Sequence, residues 1–321
     1  MKVLRQSKNL KDTPRYCGIP TFFNKPHTRE LAGVDIAILG IPFEMGSAPG
    51  NIHAPRAVRN VSWLVRSTNS YHLYDTSALK IVDYGDVTAY PSQYEKTFAN
   101  IEEEVTEVVE AGVVPICVGG DHSITYAELK AINKVYPELA LLQFDAHTDT
   151  HDSYFGDQRF TSGSVFRRAV EEKLIEPGIS VQVGLRGTLY SENDYKVSEE
   201  LGFQVITAEE VQEVGIEEVV SRITDRLEGK KVFLSFDIDV LDPAFAPGTA
   251  RPEPGGLMSS EVFRILRRLE GIDFAGFDTA EFNPSHDVGN ITAVLVANII
   301  FEFISLIGLK KHRNDNPREG V

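Results

Sequence analysis

Cysteine is scarce: the 321-residue chain has two, Cys17 and Cys117, and Cys117 lies inside an apolar run with the character of a buried strand. That excludes a disulfide framework and a thiolate-rich metal site, and it fits a reducing cytoplasm. Positive charge is short as well, with 32 Lys and Arg against 47 Asp and Glu and a net charge of −15. This balance argues against nucleic acid or an anionic membrane as partner and favours small cationic ligands. The start, Met1 to Gln6, is basic but lacks the apolar core of a signal peptide, so export is not expected. Residues 291–309 form one long apolar stretch, interrupted by Asn298 and Glu302 and accompanied by no second span; a buried terminal helix is expected there. Repeats, low-complexity segments and an interdomain linker are also lacking. With 42% hydrophobic and 25% charged residues, the chain reads as one globular domain over residues 1–321. An irregular arm over about residues 1–32 and a flexible tail over about residues 312–321 flank it.

What the sequence does contain is a series of short apolar runs separated by helical patterns. The runs at 34–40, 80–85, 113–118, 139–144, 180–184, 231–236 and 274–277 suit strands buried on both faces of a parallel sheet. Between them, a helix enters on Pro55, and residues 94–111 set Phe98, Ile101, Val105, Val108 and Val109 at helical spacing before Gly112. Further helices are predicted from Ser123 to about Tyr136, over 215–227 and over 260–269. Strand, helix, strand is the parallel crossover unit, so an α/β fold is expected. Right-handed crossovers gather the carboxyl ends of its strands on one edge, where ligands sit in open sheets.

Four runs lead into polar clusters at that edge. Residues 113–118 lead to Gly119-Gly120-Asp121-His122-Ser123, and residues 139–144 to Asp145-Ala146-His147-Thr148-Asp149. Residues 231–236 lead to Asp237-Ile238-Asp239, and 274–277 to Asp278-Thr279-Ala280-Glu281. Any one of these side chains alone is better explained as a cap or a loop residue. Together His122, Asp145, His147, Asp149, Asp237 and Asp239 bring four carboxylates and two imidazoles to one cleft, and those loops hold no matching set of Lys or Arg. Uncompensated, that charge is costly to bury. The alternation within each cluster lets its members aim at one point if the chain stays extended. The donor set exceeds what one first-row ion needs, which predicts two divalent ions roughly 3.5–4 Å apart sharing carboxylates. Oxygen-rich donors without thiolates favour Mn²⁺, and the imidazoles leave Ni²⁺, the main alternative, and Fe²⁺, Co²⁺ or Zn²⁺ open. Asp121 and Asp242 are expected to hydrogen-bond the metal histidines or nearby backbone, or else to cap turns.

The strings GGDHS, DAHTDT, SFDIDVLDPAFAPGT with PEPGG after it, and TAE run in that order over nearly the whole chain. They resemble the agmatinase branch of the ureohydrolase family, which also includes arginase. The resemblance implies a three-layer α/β/α fold with a parallel, roughly eight-stranded sheet. It also implies two Mn²⁺ ions, hydrolysis of a guanidino group to urea and an amine, and a homotrimer or homohexamer. By the same resemblance Asp145 and Asp237 each bridge the ions, His122 and Asp149 complete one coordination shell, and His147 and Asp239 complete the other. A bridging water would be the nucleophile, Asp149 would pass the proton to the departing amine, and Glu281 would hold the guanidinium.

Three segments depart from the family pattern. Within residues 160–168, Ser162 stands where a pocket-lining, proton-relaying histidine is usual, and its hydroxyl does not titrate near neutral pH. His151 is the candidate to compensate. Residues 48–55 lack the usual arginines around the Pro-Gly pair, and His286 stands where a tyrosine is common. The metal core is intact and the substrate rim altered. Hydrolysis of a small guanidino compound is therefore expected, with a compact substrate such as free guanidine. Agmatine and the guanidino acids 4-guanidinobutyrate and 3-guanidinopropionate are alternatives; formimino or acyl-amide hydrolysis is disfavoured by Glu281. An anionic guanidino acid would need a rim cation, for which the sequence offers His53, His151, Arg159 and His286. A different class of reading, motivated by the missing histidine and opposed by the complete donor set, is a catalytically silent subunit of a hetero-oligomer.

Overall fold

Eight strands form one sheet in which every neighbouring pair runs parallel. The structure, a computed structural model, describes residues 14–45 and 49–315. Residues 1–13 of the expected arm, 46–48 beside and within the altered rim segment, and 316–321 of the expected tail lie outside the described residues.

The chain begins its core with β1 (Ile36–Gly40), α1 (Ala54–Ser62) and a small antiparallel hairpin of β2 (Thr68–Asn69) and β3 (Tyr74–Asp75). There follow β4 (Ile81–Asp86), α2 (Tyr94–Glu110), β5 (Val114–Val118), α3 (Ile124–Asn133) and β6 (Leu139–Phe144). The second half runs α4 (Val165–Glu171), β7 (Val181–Leu185), α5 (Asp194–Leu201), β8 (Gln204–Thr207), α6 (Ala208–Val214) and α7 (Ile216–Leu227). It ends with β9 (Lys231–Asp237), α8 (Ser259–Arg267), β10 (Asp273–Ala280) and α9 (Ile291–Asp315). The strand order is β4-β1-β5-β10-β9-β6-β7-β8. Hence β5, β10, β9 and β6, the four strands that deliver the polar clusters, are contiguous at the centre of the sheet.

Strand side chains alternate between faces, and each face has its own core. Ile36, Ile38, Leu234 and Phe236 pack with residues of α1, α7, α8 and α9, while Ala37, Leu39, Leu139 and Leu141 pack with α2, α3 and α4. This is the expected three-layer arrangement. α9 accounts for the long apolar stretch: 72% of its most apolar window is buried inside the protein. Its Glu302 is only 4% exposed and accepts hydrogen bonds from Asn69 Nδ2 (2.7 Å) and Arg267 Nε (2.8 Å), an interior pairing. α9 also continues to Asp315, so the first residues of the expected tail are helical.

Other departures have physical causes. The edge strand β8 carries one fully buried residue, Ile206, so its sequence lacks a continuous apolar run. The helices α4, α5 and α6 have seven to eight residues each, too short for a clear helical period.

Candidate active site

The expected donors converge, by turns rather than by extended chain. After β9 the backbone closes a one-turn 3₁₀ helix over Ile238–Val240, and Asp239 N–H donates to Asp237 Oδ1 (2.8 Å). After β6, Asp149 adopts φ 50°, and at the end of β10 Glu281 adopts φ 60°. A left-handed conformation is costly for a residue with a Cβ, and its presence at two site residues marks local strain held by the surroundings. Gly120 permits the close approach of the remaining loop: a Cβ there would lie 1.6 Å from the Phe43 carbonyl oxygen.

His122 Nδ1 lies 2.9 Å from Asp149 Oδ2, 3.2 Å from Asp145 Oδ2 and 3.3 Å from Asp237 Oδ2. His147 Nδ1 lies 2.9 Å from Asp239 Oδ2 and 3.6 Å from Asp145 Oδ1. Two trios with metal-ligand spacing result, His122-Asp145-Asp149 and Asp145-His147-Asp239, and Asp145 belongs to both. Asp237 joins through its contact with His122. The carboxylates are fixed by backbone donors: His147 N–H donates to Asp145 Oδ1 (2.6 Å) and Ala146 N–H to Asp239 Oδ1 (2.9 Å).

His122 is fully buried, and its Nε2 sits 2.8 Å from Ser235 Oγ, which donates to Asp278 Oδ1 (2.9 Å). With the proton of Nε2 directed at Ser235, the Nδ1 lone pair faces three carboxylates, and Nδ1 makes no well-aligned hydrogen bond. Such an orphaned acceptor among anions fits a divalent cation. Without one, only protons can compensate. Burial and then repulsion from Asp239 and Asp145 push Asp237 well above the usual carboxylate range, and burial and Asp145 raise Asp149. Burial opposes a charged His122, yet Asp145, Asp149 and Asp237 outweigh it and push its pKa well up.

Glu281 is held on both oxygens. Its Oε1 accepts from the His122 backbone N–H and its Oε2 from Asn51 Nδ2, each at 2.9 Å. Burial and then the charge of Asp121 raise it to about 8. Asn51 is fully buried, and its Oδ1 has no partner. A carboxylate beside an unsatisfied carbonyl acceptor is a receptor for a planar cation with several N–H groups.

Beside this cluster lies a cavity of about 110 Å³ whose walls include Met45, Tyr154, Ser162, Gly163 and Arg251. Ser162 is one of the residues that line this cavity. His151 is not among the lining residues; its ring packs edge-on against Tyr154 (5.2 Å) and Tyr190 (5.4 Å). Asp121 and Asp242 bind backbone rather than histidine. Asp121 accepts from Met45 and Ser123, and Asp242 from Ala244, Gly255 and Gly256, so each secures a loop.

The expected rim cations are not among the residues that line the cavity. Arg159 pairs with Glu171 (2.7 Å), His286 Nδ1 contacts the Thr249 carbonyl (2.9 Å), and His53 is exposed; the cation on the cavity wall is Arg251. Sequence reasoning also missed Ser235, Asp278, Asn51 and Arg186. Arg186 reaches across the chain to the carbonyls of Asp239 (2.6 Å) and Glu253 (2.7 Å), pinning the loop after β9. Asp278 opens a cluster already singled out, Ser235 opens the SFDIDV string and Asn51 lies in the altered segment 48–55, but nothing in those strings marked the individual residue.

A family model described as the arginase family matches residues 34–305. A guanidinopropionase of Pseudomonas aeruginosa is 38% identical over 94% of this chain and 96% of its own length. The mitochondrial agmatinase of Gallus gallus is 35% identical, over 91% of this chain and 87% of its own. Among solved structures, proclavaminate amidino hydrolase from Streptomyces clavuligerus superposes with a TM-score of 0.86 at 35% identity, covering 93% of this chain and 100% of that one. Fold, ordered motifs and donor geometry agree with these matches: the chain belongs to the arginase family.

Proposed function

We propose that this protein is a dimetal amidinohydrolase that releases urea from a small guanidino compound, with Mn²⁺ as its metal and Ni²⁺ as the alternative. The observation that carries the reading is the cluster of His122, half-buried His147 and four buried aspartates set against Glu281. Its relatives' names, guanidinopropionase and agmatinase, support the reaction class.

His122, Asp145, Asp149 and Asp237 would hold one ion, and His147 and Asp239 would hold the other while sharing Asp145 and Asp237. When bound, two divalent cations lower the pKa of water toward neutrality and offset the carboxylate charge. The chain supplies the remaining steps. Glu281 and the Asn51 carbonyl take the N–H groups of the guanidinium and fix its plane, converting binding energy into orientation. A bound cation also draws Glu281 down from about 8 into its charged form at neutral pH. Asp149 receives a proton and delivers it to the departing nitrogen. Ser162 in the pocket has no titrating group, so this reading gives the proton transfer to Asp149. The cavity of about 110 Å³ supports a compact substrate. Assembly as a homotrimer or homohexamer belongs to the same reading and is checked by mass measurement in solution.

The test is urea release by metal-loaded protein from guanidine, agmatine and short guanidino acids. Formamide or acetate release from the corresponding amides, with no urea from any guanidino compound, would sink the reading.

A further inference from the structure

The cavity wall carries a cation that neither the metal cluster nor the guanidinium clamp explains. Arg251 is half-buried and, among the described residues, forms no hydrogen bond or ion pair. The fold brings it there deliberately close to the reacting end. Thr249 bridges to Phe282, Asn283 N–H donates to the Gly248 carbonyl (2.9 Å), and Asp242 grips Gly255 and Gly256, so the 248–256 loop is tied to the chain just past Glu281. Arg251 lies within electrostatic reach of Glu281 and Asp149, whose attraction overcomes burial and raises its pKa. The cavity's cationic wall therefore stands near the anionic cluster that contains Glu281 and Asp149.

That arrangement complements a zwitterion. A partly buried guanidinium without a hydrogen-bonding partner is unfavourable, and its planar fork matches a carboxylate with two parallel bonds. Tyr154, packed against Gly163 on the same wall, adds a hydroxyl donor. We infer that the site takes a short ω-guanidino carboxylate, its guanidinium on Glu281 and Asn51 and its carboxylate on Arg251. The inference rests on the amidinohydrolase reading above and names the substrate class of that site. Agmatine would set its ammonium against Arg251, a like-charge contact that selects against it. Free guanidine would leave Arg251 unpaired.

The experiment measures kcat/KM for urea release by the metal-loaded full chain with guanidine, guanidinoacetate, 3-guanidinopropionate, 4-guanidinobutyrate and agmatine. At least one acid is expected to exceed both guanidine and agmatine. Arg251→Gln should lower the preference for that acid over guanidine by about 10- to 100-fold, mainly through KM, as loss of a charged hydrogen bond does. Arg251→Glu should invert the order between acid and agmatine, a gain that a misfolded variant cannot show. Preference of the unaltered protein for guanidine or agmatine overturns the inference while leaving the amidinohydrolase reading intact. An equal loss on all five substrates in Arg251→Gln also overturns it. Urea from none of the five overturns both.

Discussion

At Asp145 and Asp237 each carboxylate faces the buried Nδ1 of His122, within 3.3 Å. An amide at either place keeps the shape and removes the charge that a cation pair needs, so Asp145→Asn and Asp237→Asn are expected to lose bound metal and urea release together. Metal analysis alongside the urea assay checks this. Glu281→Ala should part the two: both ions retained, kcat/KM down by about 100-fold or more as an orienting charged contact is lost. Loss of both ions from a folded Glu281→Ala protein would count against the clamp. A third residue, Glu128 on α3, is fully buried beside Cys117 and Asp278 and within the field of His122. Burial, then repulsion from Asp278, pushes its pKa well above the ordinary value. A raised folded-state pKa gives stability that is complete below the unfolded value near 4.3 and is lost as pH rises through the folded one. Denaturant unfolding from about pH 5 upward should show the unaltered protein losing ground to Glu128→Gln by up to about 1.4 kcal/mol per pH unit. A constant difference between the two would refute the assignment. The donors were legible in sequence because they follow apolar runs at short spacing. Asn51, Ser235 and Arg251 were not, since nothing local distinguishes a polar residue that packs beside Glu281, His122 or a cavity from one facing solvent.

At the level of elements, the last residue before β10 turns away is the informative one. Glu281 holds φ 60° while its N–H donates to the Gly120 carbonyl (2.9 Å), so its backbone is fixed from the neighbouring loop whatever its side chain. Alanine there keeps the left-handed penalty and glycine removes it. Glu281→Gly is therefore expected to be more stable than Glu281→Ala by about 1 kcal/mol in thermal or denaturant unfolding, though both lack the clamp. Equal stability would mean that the turn relaxes and stores no strain. The same element shows what patterning conveys. The central strands β5, β6, β9 and β10 could be read because burial on both faces leaves continuous apolar runs. Their adjacency could not, because the order β5-β10-β9-β6 is set by crossovers that a one-dimensional pattern does not record. The turn over Ile238–Val240 was hidden too: its apolar residues continue the strand's hydrophobicity while its backbone is already helical.

Over the whole molecule, the sheet gathers four carboxylates at its centre in a chain whose net charge is already −15. The fold therefore carries an electrostatic cost at the site that cation binding relieves, and metal binding is coupled to stability. Because ions that bind the folded state alone stabilise it by RT ln(1 + [L]/Kd), one site gains about 2.7 kcal/mol when free metal is 100-fold above Kd. The Tm of chelator-treated protein is thus expected to climb with the logarithm of Mn²⁺ concentration once Kd is exceeded. Asp237→Asn should respond far less. Its contrast with Glu281→Ala is the sharper comparison, since Glu281 adds charge to the region but is assigned to substrate: Glu281→Ala should retain a metal-dependent rise. Screening by added salt weakens long-range repulsion among surface carboxylates but not a contact at 2.9 Å within a buried cluster. The metal-dependent rise should accordingly survive at high ionic strength, and its disappearance there would reassign it to diffuse binding over the acidic surface.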